Sequence, residues 1–226
     1  MNSDSDYFVN HRRSRRFPWC VYHAPLEHDL RRFLLQVAEE HPDGRVLVVG
    51  CGLLHEIDAA PHRLRFTVVD IDQRALDAVA LRADPRVAEA VAVRPEEPID
   101  LGRRFCAVYA KEVVEHVVRW RPWLAGLRDS LVPGGRLWLS TPNYGEPWLA
   151  AIESTVLEIV ARHSGYSRRN LHPTRFSKKN LADGLRSSGF QDVHVRATRT
   201  RLALIASARF VPVDPASAST DAPKRS

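Results

Sequence analysis

The chain has 226 residues, of which 44% are hydrophobic and 27% are charged, and its formal net charge is +6. This length and composition predict one globular domain with a sizeable core and exclude a disordered or fibrous protein. No apolar run approaches the roughly 20 residues that a membrane-spanning helix needs, and the polar first residues do not resemble a signal peptide, so we expect no membrane association.

Two basic clusters carry much of the positive charge. They are Arg12, Arg13, Arg15 and Arg16 near the N-terminus, and Arg168, Arg169, Arg175, Lys178 and Lys179 further on. A basic balance can indicate nucleic-acid binding, but the excess is modest and no basic-aromatic stacking platform is evident. We therefore interpret the clusters as solvated surface and do not expect nucleic acid as a partner. The three cysteines show no paired spacing, which favours a reduced, cytoplasmic location.

The first forty residues are predicted to form a lid segment followed by a helix. Residues 1–24 are mostly polar, but they contain aromatic side chains, Tyr22 among them, and also His23. They are too aromatic for a pure linker, so we expect this segment to cover the cofactor or substrate site. Apolar residues then recur at helical spacing over 25–40, with Pro25 at the start.

Strands and helices alternate over the rest of the chain. Strands are predicted at 46–49, 66–70, 87–93, 105–110 and 136–140, helices at 74–82, 120–131, 147–163 and 180–188, and a terminal antiparallel pair of strands at 191–197 and 202–208. Such alternation predicts an α/β fold with a doubly wound, mostly parallel sheet. The last segment, 211–226, is rich in Pro, Ala and Ser, and we interpret it as a disordered tail.

A Gly-x-Gly turn between two apolar runs is the most informative motif. The first run enters Gly50 and Gly52, and the second ends in the acid Asp70. In a doubly wound sheet, this turn lets a nucleotide-like ligand lie against bare backbone, and the acid can accept hydrogen bonds from a ribose. An ordinary tight turn would give the same pattern. His55 stands where the dinucleotide fingerprint requires its third glycine, so we do not expect NAD to bind.

Two further stretches, taken with this turn, resemble the class I S-adenosylmethionine (SAM) methyltransferases. Residues 105–116 read FCAVYAKEVVEH, similar to the fourth strand of that family and the segment after it. Residues 131–143 read LVPGGRLWLSTPN, similar to its L-x-P-G-G turn and fifth strand. The resemblance covers about residues 30 to 210. It implies a Rossmann-like sheet of seven strands, with an antiparallel terminal strand, in a SAM-binding domain that we place at 25–210.

The resemblance also assigns residues to the cofactor. The cofactor-binding set that it implies is Gly50, Gly52, Asp70, Ile71, Glu96 and Lys111, with Glu97 as the alternative to Glu96. The glycines would approach SAM closely, Asp70 would bind the ribose hydroxyls, Glu96 would contact the adenine, and Lys111 would lend main-chain contacts.

Two departures from the family pattern concern this cofactor site. Val48 stands where the family usually carries an acid that helps to anchor the amino-acid part of SAM, and Leu54 replaces a small residue. Either another residue, with Glu56 as a candidate, takes over this role, or the affinity for SAM is reduced. A SAM-binding protein that is regulatory or has lost catalysis is therefore one alternative.

A second constellation follows the fourth strand. If 113–118 is helical, Glu112, Glu115 and His116 share one face, and a divalent ion would relieve the repulsion between the two carboxylates. Oxygen and imidazole ligands suit Mg²⁺, Mn²⁺, Fe²⁺ or Zn²⁺. The spacing resembles metal-dependent small-RNA 2′-O-methyltransferases and the O-methyltransferases of ubiquinone biosynthesis, which implies His172 as the fourth ligand. The alternative is helix capping by Glu112 and a packed His116.

The sequence thus favours a SAM-dependent methyltransferase that acts on oxygen in a small molecule, such as a specialised metabolite or a phenol. A divalent metal, or His116 or His172 as a general base, would assist the loss of the acceptor's proton. An RNA 2′-O-methyltransferase is the second interpretation, which the absence of RNA-binding appendages in this short chain disfavours.

Overall fold

Strands and helices alternate along the computed structural model, which describes residues 17, 20–95, 97–146 and 173–212. The helices are α1 (Cys20–Glu40), α2 (Gln73–Arg82), α3 (Trp120–Asp129) and α4 (Lys178–Ser187), and 3₁₀ segments lie at His55–Ala59 and Val114–His116. The strands are β1 (Arg45–Val49), β2 (Arg65–Asp70), β3 (Val87–Ala92), β4 (Phe105–Lys111), β5 (Leu131–Pro142), β6 (Gln191–Ala197) and β7 (Ala203–Arg209).

The seven strands form one sheet in the order β3-β2-β1-β4-β5-β7-β6. The first five strands run parallel to their neighbours, and β7 lies antiparallel between β5 and β6. This arrangement confirms the predicted α/β fold class, a doubly wound and mostly parallel sheet with an antiparallel terminal strand. The strand order reverses between β1 and β4, whose carboxyl ends therefore flank a crevice.

Hydrophobic layers cover both faces of the sheet. Successive side chains of a strand point to opposite faces, and β1 shows this clearly. Val46 and Val48 pack in a cluster with the buried residues of α1 and α2. Leu47 and Val49 pack in the opposite cluster with those of α3 and α4. A strand buried on both faces explains the continuous apolar run in the sequence.

Helix α1 begins earlier than the sequence predicts, so the expected boundary between residues 24 and 25 lies inside the helix. Pro25 is within α1, not at its start. A proline there removes one internal hydrogen bond. The first turn of α1 also makes a tertiary contact, since the Tyr22 hydroxyl donates a hydrogen bond to the carboxylate of Glu112.

Strand β5 also begins earlier than predicted, at Leu131, because the Pro-Gly-Gly stretch keeps its hydrogen bonds. Leu131 pairs with Phe105, and the register then shifts before the regular part of the strand. Within the irregular part, Gly134 has φ +79° and its N–H donates to the carbonyl of Phe210 at 2.7 Å. Helix α3 consequently ends at Asp129, two residues before its predicted end.

Some sequence-based predictions fall on other parts of the chain. Most of the lid segment, the predicted helix at 147–163 and nearly all of the tail lie outside the described residues. Among the helices that the structure does describe, none combines the length and the apolar character needed to cross a bilayer.

Candidate functional site

A cleft of about 570 Å³ opens at the carboxyl ends of β1, β2 and β4. Ligands of open α/β sheets bind at this edge, next to the point where the strand order reverses. Residues from the predicted cofactor set that line the cleft are Gly50, Gly52, Asp70, Ile71 and Lys111. Glu97 lines it as well, whereas Glu96 lies outside the described residues. One wall of the cleft therefore gathers residues from three separate strands.

The glycine turn gives this wall its bare backbone. Gly50 and Gly52 have φ angles of +69° and +48°, in the left-handed region that favours glycine. The N–H of Gly50 donates to the carbonyl of Val69 at 2.9 Å, which ties the turn to β2. A Cβ atom on Gly50 would overlap the Cγ2 methyl of Val113. Position 50 therefore requires glycine for its conformation and for its close packing.

Asp70, at the end of β2, fixes this turn and faces the cleft. Its two carboxylate oxygens accept hydrogen bonds from the N–H of Gly52 at 3.0 Å and the N–H of Asp72 at 2.9 Å. Each oxygen keeps further acceptor capacity, so Asp70 can also receive two hydroxyl groups. The next residue, Ile71, is 64% exposed on the cleft wall and offers an apolar surface for a flat ring.

An ion pair of Glu56 and Lys111 lies in the same cleft. The ammonium nitrogen of Lys111 is 3.0 Å from a carboxylate oxygen of Glu56. Burial acts to raise the pKa of Glu56, but the charge and hydrogen bond of Lys111 outweigh it and hold the pKa below its usual value. For Lys111, burial acts to lower the pKa, but Glu56 outweighs it and the pKa is raised. Both side chains are therefore charged at neutral pH.

Glu112, the residue after β4, is held in place by two hydroxyl groups. Tyr22 of α1 donates to one carboxylate oxygen, and the hydroxyl of Ser140 donates to the other at 2.8 Å. The backbone of Glu112 has φ +59°, an uncommon conformation for a residue with a side chain. Burial raises the pKa of Glu112 above its ordinary value, against the opposing effects of both hydrogen bonds. Neither Tyr22 nor Ser140 was among the predicted site residues, although Tyr22 belongs to the predicted lid.

The predicted metal site does not form among the described residues. Instead of a helix over 113–118, the structure has one short 3₁₀ turn, and Glu112 precedes it with left-handed backbone, so helical spacing does not apply. Glu115 is buried, whereas His116 is exposed and lines the cleft. Within the described part of the chain, no three His, Cys, Asp or Glu side chains are grouped to hold a metal ion. His172, the fourth predicted ligand and second predicted base, lies outside it.

The two departures from the family pattern are packing residues. Val48 is fully buried in β1, and Leu54 is buried just before the 3₁₀ segment, with φ +48°. The chain after the glycine turn thus enters a 3₁₀ segment that brings Glu56, the candidate named from the sequence, into the cleft. His23, predicted to lie in the lid, also lines the cleft.

Comparisons with known proteins agree with this geometry. A family model described as a methyltransferase domain matches residues 22–195. Curated proteins give no match. Among solved structures, the magnesium protoporphyrin IX methyltransferase from Synechocystis PCC 6803, with bound SAH, is 17% identical with a TM-score of 0.64, covering 92% of this chain and 96% of that chain.

Two other similar structures are of methyltransferases named for different acceptor atoms, nitrogen and carbon. The N-methyltransferase NodS from Bradyrhizobium japonicum WM9 is 16% identical with a TM-score of 0.56, covering 83% of this chain and 98% of that chain. The CurJ carbon methyltransferase is 15% identical with a TM-score of 0.63. That match covers 82% of this chain and 54% of that chain, so this chain spans about half of its length. These likenesses show the fold and leave the acceptor atom open.

Proposed function

Because the chain belongs to the methyltransferase domain family and is an enzyme that uses SAM, we propose that it methylates a hydroxyl oxygen of a small molecule. The acceptor that we propose is a phenol or a specialised metabolite. The observation that carries the proposal is the composition of one cleft. A glycine turn and Asp70 form one part of its lining, and Glu112 and His116 contribute to another.

The cofactor part suits the adenosine of SAM. The bare backbone at Gly50 and Gly52 allows close approach, and Asp70 has acceptor capacity for both ribose hydroxyls. Ile71 offers an apolar contact for the adenine ring. Glu96, which the sequence also assigns to adenine, stays a prediction.

The acceptor part suits a group that must lose a proton. The hydroxyl oxygen attacks the sulfonium methyl in line, the carbon–sulfur bond breaks, and its electron pair stays on sulfur. The hydroxyl proton passes to His116, because an imidazole exchanges protons readily near neutral pH and this one is exposed in the cleft. Glu112, fixed by Tyr22 and Ser140, provides a carboxylate that positions the acceptor. Alignment of the two reactants supplies most of the rate enhancement.

The proposal contains no metal step. The oxygens of Glu112 already accept hydrogen bonds from Tyr22 and Ser140, and Glu115 is buried, so these carboxylates do not fit a shared divalent ion. A cytoplasmic location stays a prediction from cysteine usage; Cys20, Cys51 and Cys106 are all free thiols.

Methyl-labelled SAM offered with a panel of phenols and catechols tests the proposal. We expect label in hydroxyl-bearing compounds, and O-methyl products by NMR. His116→Ala should lower turnover by about 100-fold or more, the usual contribution of a general base, with SAM affinity unchanged. His194→Ala is the matched control, because His194 is an exposed histidine on β6 away from the cleft.

Four outcomes would contradict the proposal. Full turnover in the His116→Ala variant would show that His116 is not the general base. Label on nitrogen, on carbon or on RNA would replace the acceptor, and salt-sensitive binding of short RNA in a gel shift would favour the RNA interpretation. Tight binding of SAM with no product from any acceptor would favour the regulatory alternative.

A further inference from the structure

A second groove, of about 560 Å³, lies between α1 and the strands β5, β7 and β6. It shares no lining residue with the cleft. Helix α1 nevertheless borders both, because His23 and Glu27 line the cleft. Asp29 and Arg32 of the same helix line the groove. A molecule held in the groove therefore contacts the helix that borders the cofactor cleft.

Arginine dominates the charge of this groove. Four guanidinium groups and two carboxylates belong to its lining: Arg32, Arg136, Arg196, Arg209, Asp29 and Asp192. The lining alone thus has an excess of positive charge, and the positions of the nearby acids decide how much of it is compensated.

The acids beside the groove do not balance its arginines. Asp29 forms an ion pair with Arg196. The carboxylate of Glu40 is shared, at 2.6 Å from a nitrogen of Arg136 and 3.2 Å from a nitrogen of Arg209. A guanidinium group has five N–H donors in a planar fork, so two such groups on one carboxylate keep donors for another acid.

Arg32 adds a cation on the α1 side of the groove. Its side chain is exposed, and it forms no ion pair with any of the residues that the structure describes. Asp192, which is exposed on β6, supplies an opposing negative charge. The groove therefore attracts anions through its arginines and repels them at one position.

The groove suits an extended acidic peptide better than other anions. Pockets for small ligands are mostly apolar and contain few polar groups, whereas charged side chains surround this groove. Single-stranded nucleic acid needs exposed aromatic faces on which bases stack. Phe33 and Trp138 of the lining are only 6% and 1% exposed, so they offer no such face. Peptide carboxylates need only the paired donors of arginine.

The register of the sheet gives the spacing of the charges. Arg209 of β7 lies opposite Arg136 of β5. Ile205 of β7 lies opposite Arg196 of β6. The two arginine-bearing rows are thus four residues apart along β7, which is about 14 Å in a strand. An extended peptide repeats its side chains on one face every second residue, so acids at positions i and i+4 match this distance.

We propose that this groove docks an extended acidic segment of a partner protein. Carboxylates at positions i and i+4 of the segment bind the two arginine-bearing rows, and Arg32 contributes from α1. The inference is independent of the proposed reaction and of its acceptor, because docking in the groove uses no residue of the cofactor cleft.

Fluorescence anisotropy of a labelled peptide tests the inference on the whole chain without SAM. The probe alternates Glu with Thr over about ten residues, and its control carries Gln in place of Glu. We expect saturable binding of the Glu peptide that weakens as salt is added, and no binding of the Gln peptide. The Arg32→Glu variant should bind the Glu peptide at least about fivefold more weakly, because an attraction is replaced by a repulsion.

Two further variants separate the groove from the overall charge of the protein. Arg31→Glu is the matched control, because Arg31 is exposed on the same helix but does not line the groove. It changes the net charge equally, and affinity for the Glu peptide should change by less than about twofold, since screening weakens distant charges. Asp192→Asn should strengthen binding by about twofold, because it removes the opposing charge.

These results together would support the assignment, and five others would overturn it. They are no binding of the Glu peptide, equal binding of the Gln peptide, and equal losses in the Arg31 and Arg32 variants. Short RNA that displaces the Glu peptide would make the groove a nucleic-acid site. Self-association of the protein that Arg32→Glu abolishes would make a second copy of this chain the occupant. None of these outcomes bears on methyl transfer in the cleft.

Discussion

Replacing Asp70 by alanine removes the acceptor that we assign to the ribose of SAM. In the free protein, the carboxylate receives the N–H groups of Gly52 at 3.0 Å and Asp72 at 2.9 Å, and each oxygen can take one hydroxyl more. Losing a single charge-assisted hydrogen bond costs about 1.5–3 kcal/mol. Since about 1.4 kcal/mol is a factor of ten in affinity, the Kd for SAM should rise at least about tenfold.

The same change also affects the turn, so stability must be measured first. The variant leaves the N–H groups of Gly52 and Asp72 without this acceptor, and thermal melts should show a lower Tm than for the wild-type protein. Isothermal titration with SAM is then done well below that temperature. Asp77→Asn is the control, because Asp77 is exposed on α2. A folded Asp70→Ala variant with wild-type affinity for SAM would refute the ribose assignment, and tight binding of NAD would refute the choice of cofactor.

Three further predictions test the surroundings of the cleft. Treatment with EDTA should leave turnover unchanged, because the oxygens of Glu112 are already engaged; a loss restored by Mn²⁺ or Mg²⁺ would contradict this. Burial raises the pKa of Glu112 above its ordinary 4.5, so its contribution to stability is complete below pH 4.5 and is lost as the pH rises through the folded-state value. Between pH 4 and 8, the Tm should therefore fall less steeply for the Glu112→Gln variant than for the wild-type protein. Parallel curves of Tm against pH would count against a raised pKa of Glu112. Gly50→Ala should destabilise by about 1–2 kcal/mol from its backbone alone, with more from the overlap with Val113. Gly102→Ala is its control, since Gly102 has φ +63° and open space around its Cβ position; equal losses of Tm would show that the overlap is relieved.

Most strands of the sheet and the glycine turn that lines the cleft could be predicted from the sequence because local signals carry them. A continuous apolar run such as 46–49 reports burial on both faces of a sheet, and a Gly-x-Gly turn reports backbone in the left-handed region. The position of Asp70 in the cleft could be predicted because this residue stands at the end of a predicted strand. The antiparallel insertion of β7 came from the resemblance to a family, since no local pattern encodes which strand lies between two others.

Other parts of the cleft depend on contacts between residues far apart in the chain, which sequence spacing could not predict. Tyr22 and Glu112 are 90 positions apart, and Glu56 and Lys111 are 55 apart. Helical spacing after β4 predicts that Glu112, Glu115 and His116 share one face, but the left-handed conformation of Glu112 breaks that spacing. The Tyr22 and Ser140 hydroxyls occupy its carboxylate, so tertiary hydrogen bonding overrides a pattern that is valid only within one helix.

The place of β7 in the sheet has a consequence for how the protein folds. This strand follows β6 in the chain, yet it lies between β5 and β6, and Phe210 just after it also hydrogen-bonds to the glycines of β5. Until residues 203–209 are in place, the outer edge of β5 has no partner strand and presents a row of free N–H and C=O groups beside apolar side chains. During synthesis, five parallel strands are therefore available before the strand that covers their open edge. Insertion of β7 completes the sheet only after a non-local pairing, and the interval before it is the one in which a growing chain is most exposed to edge-to-edge association.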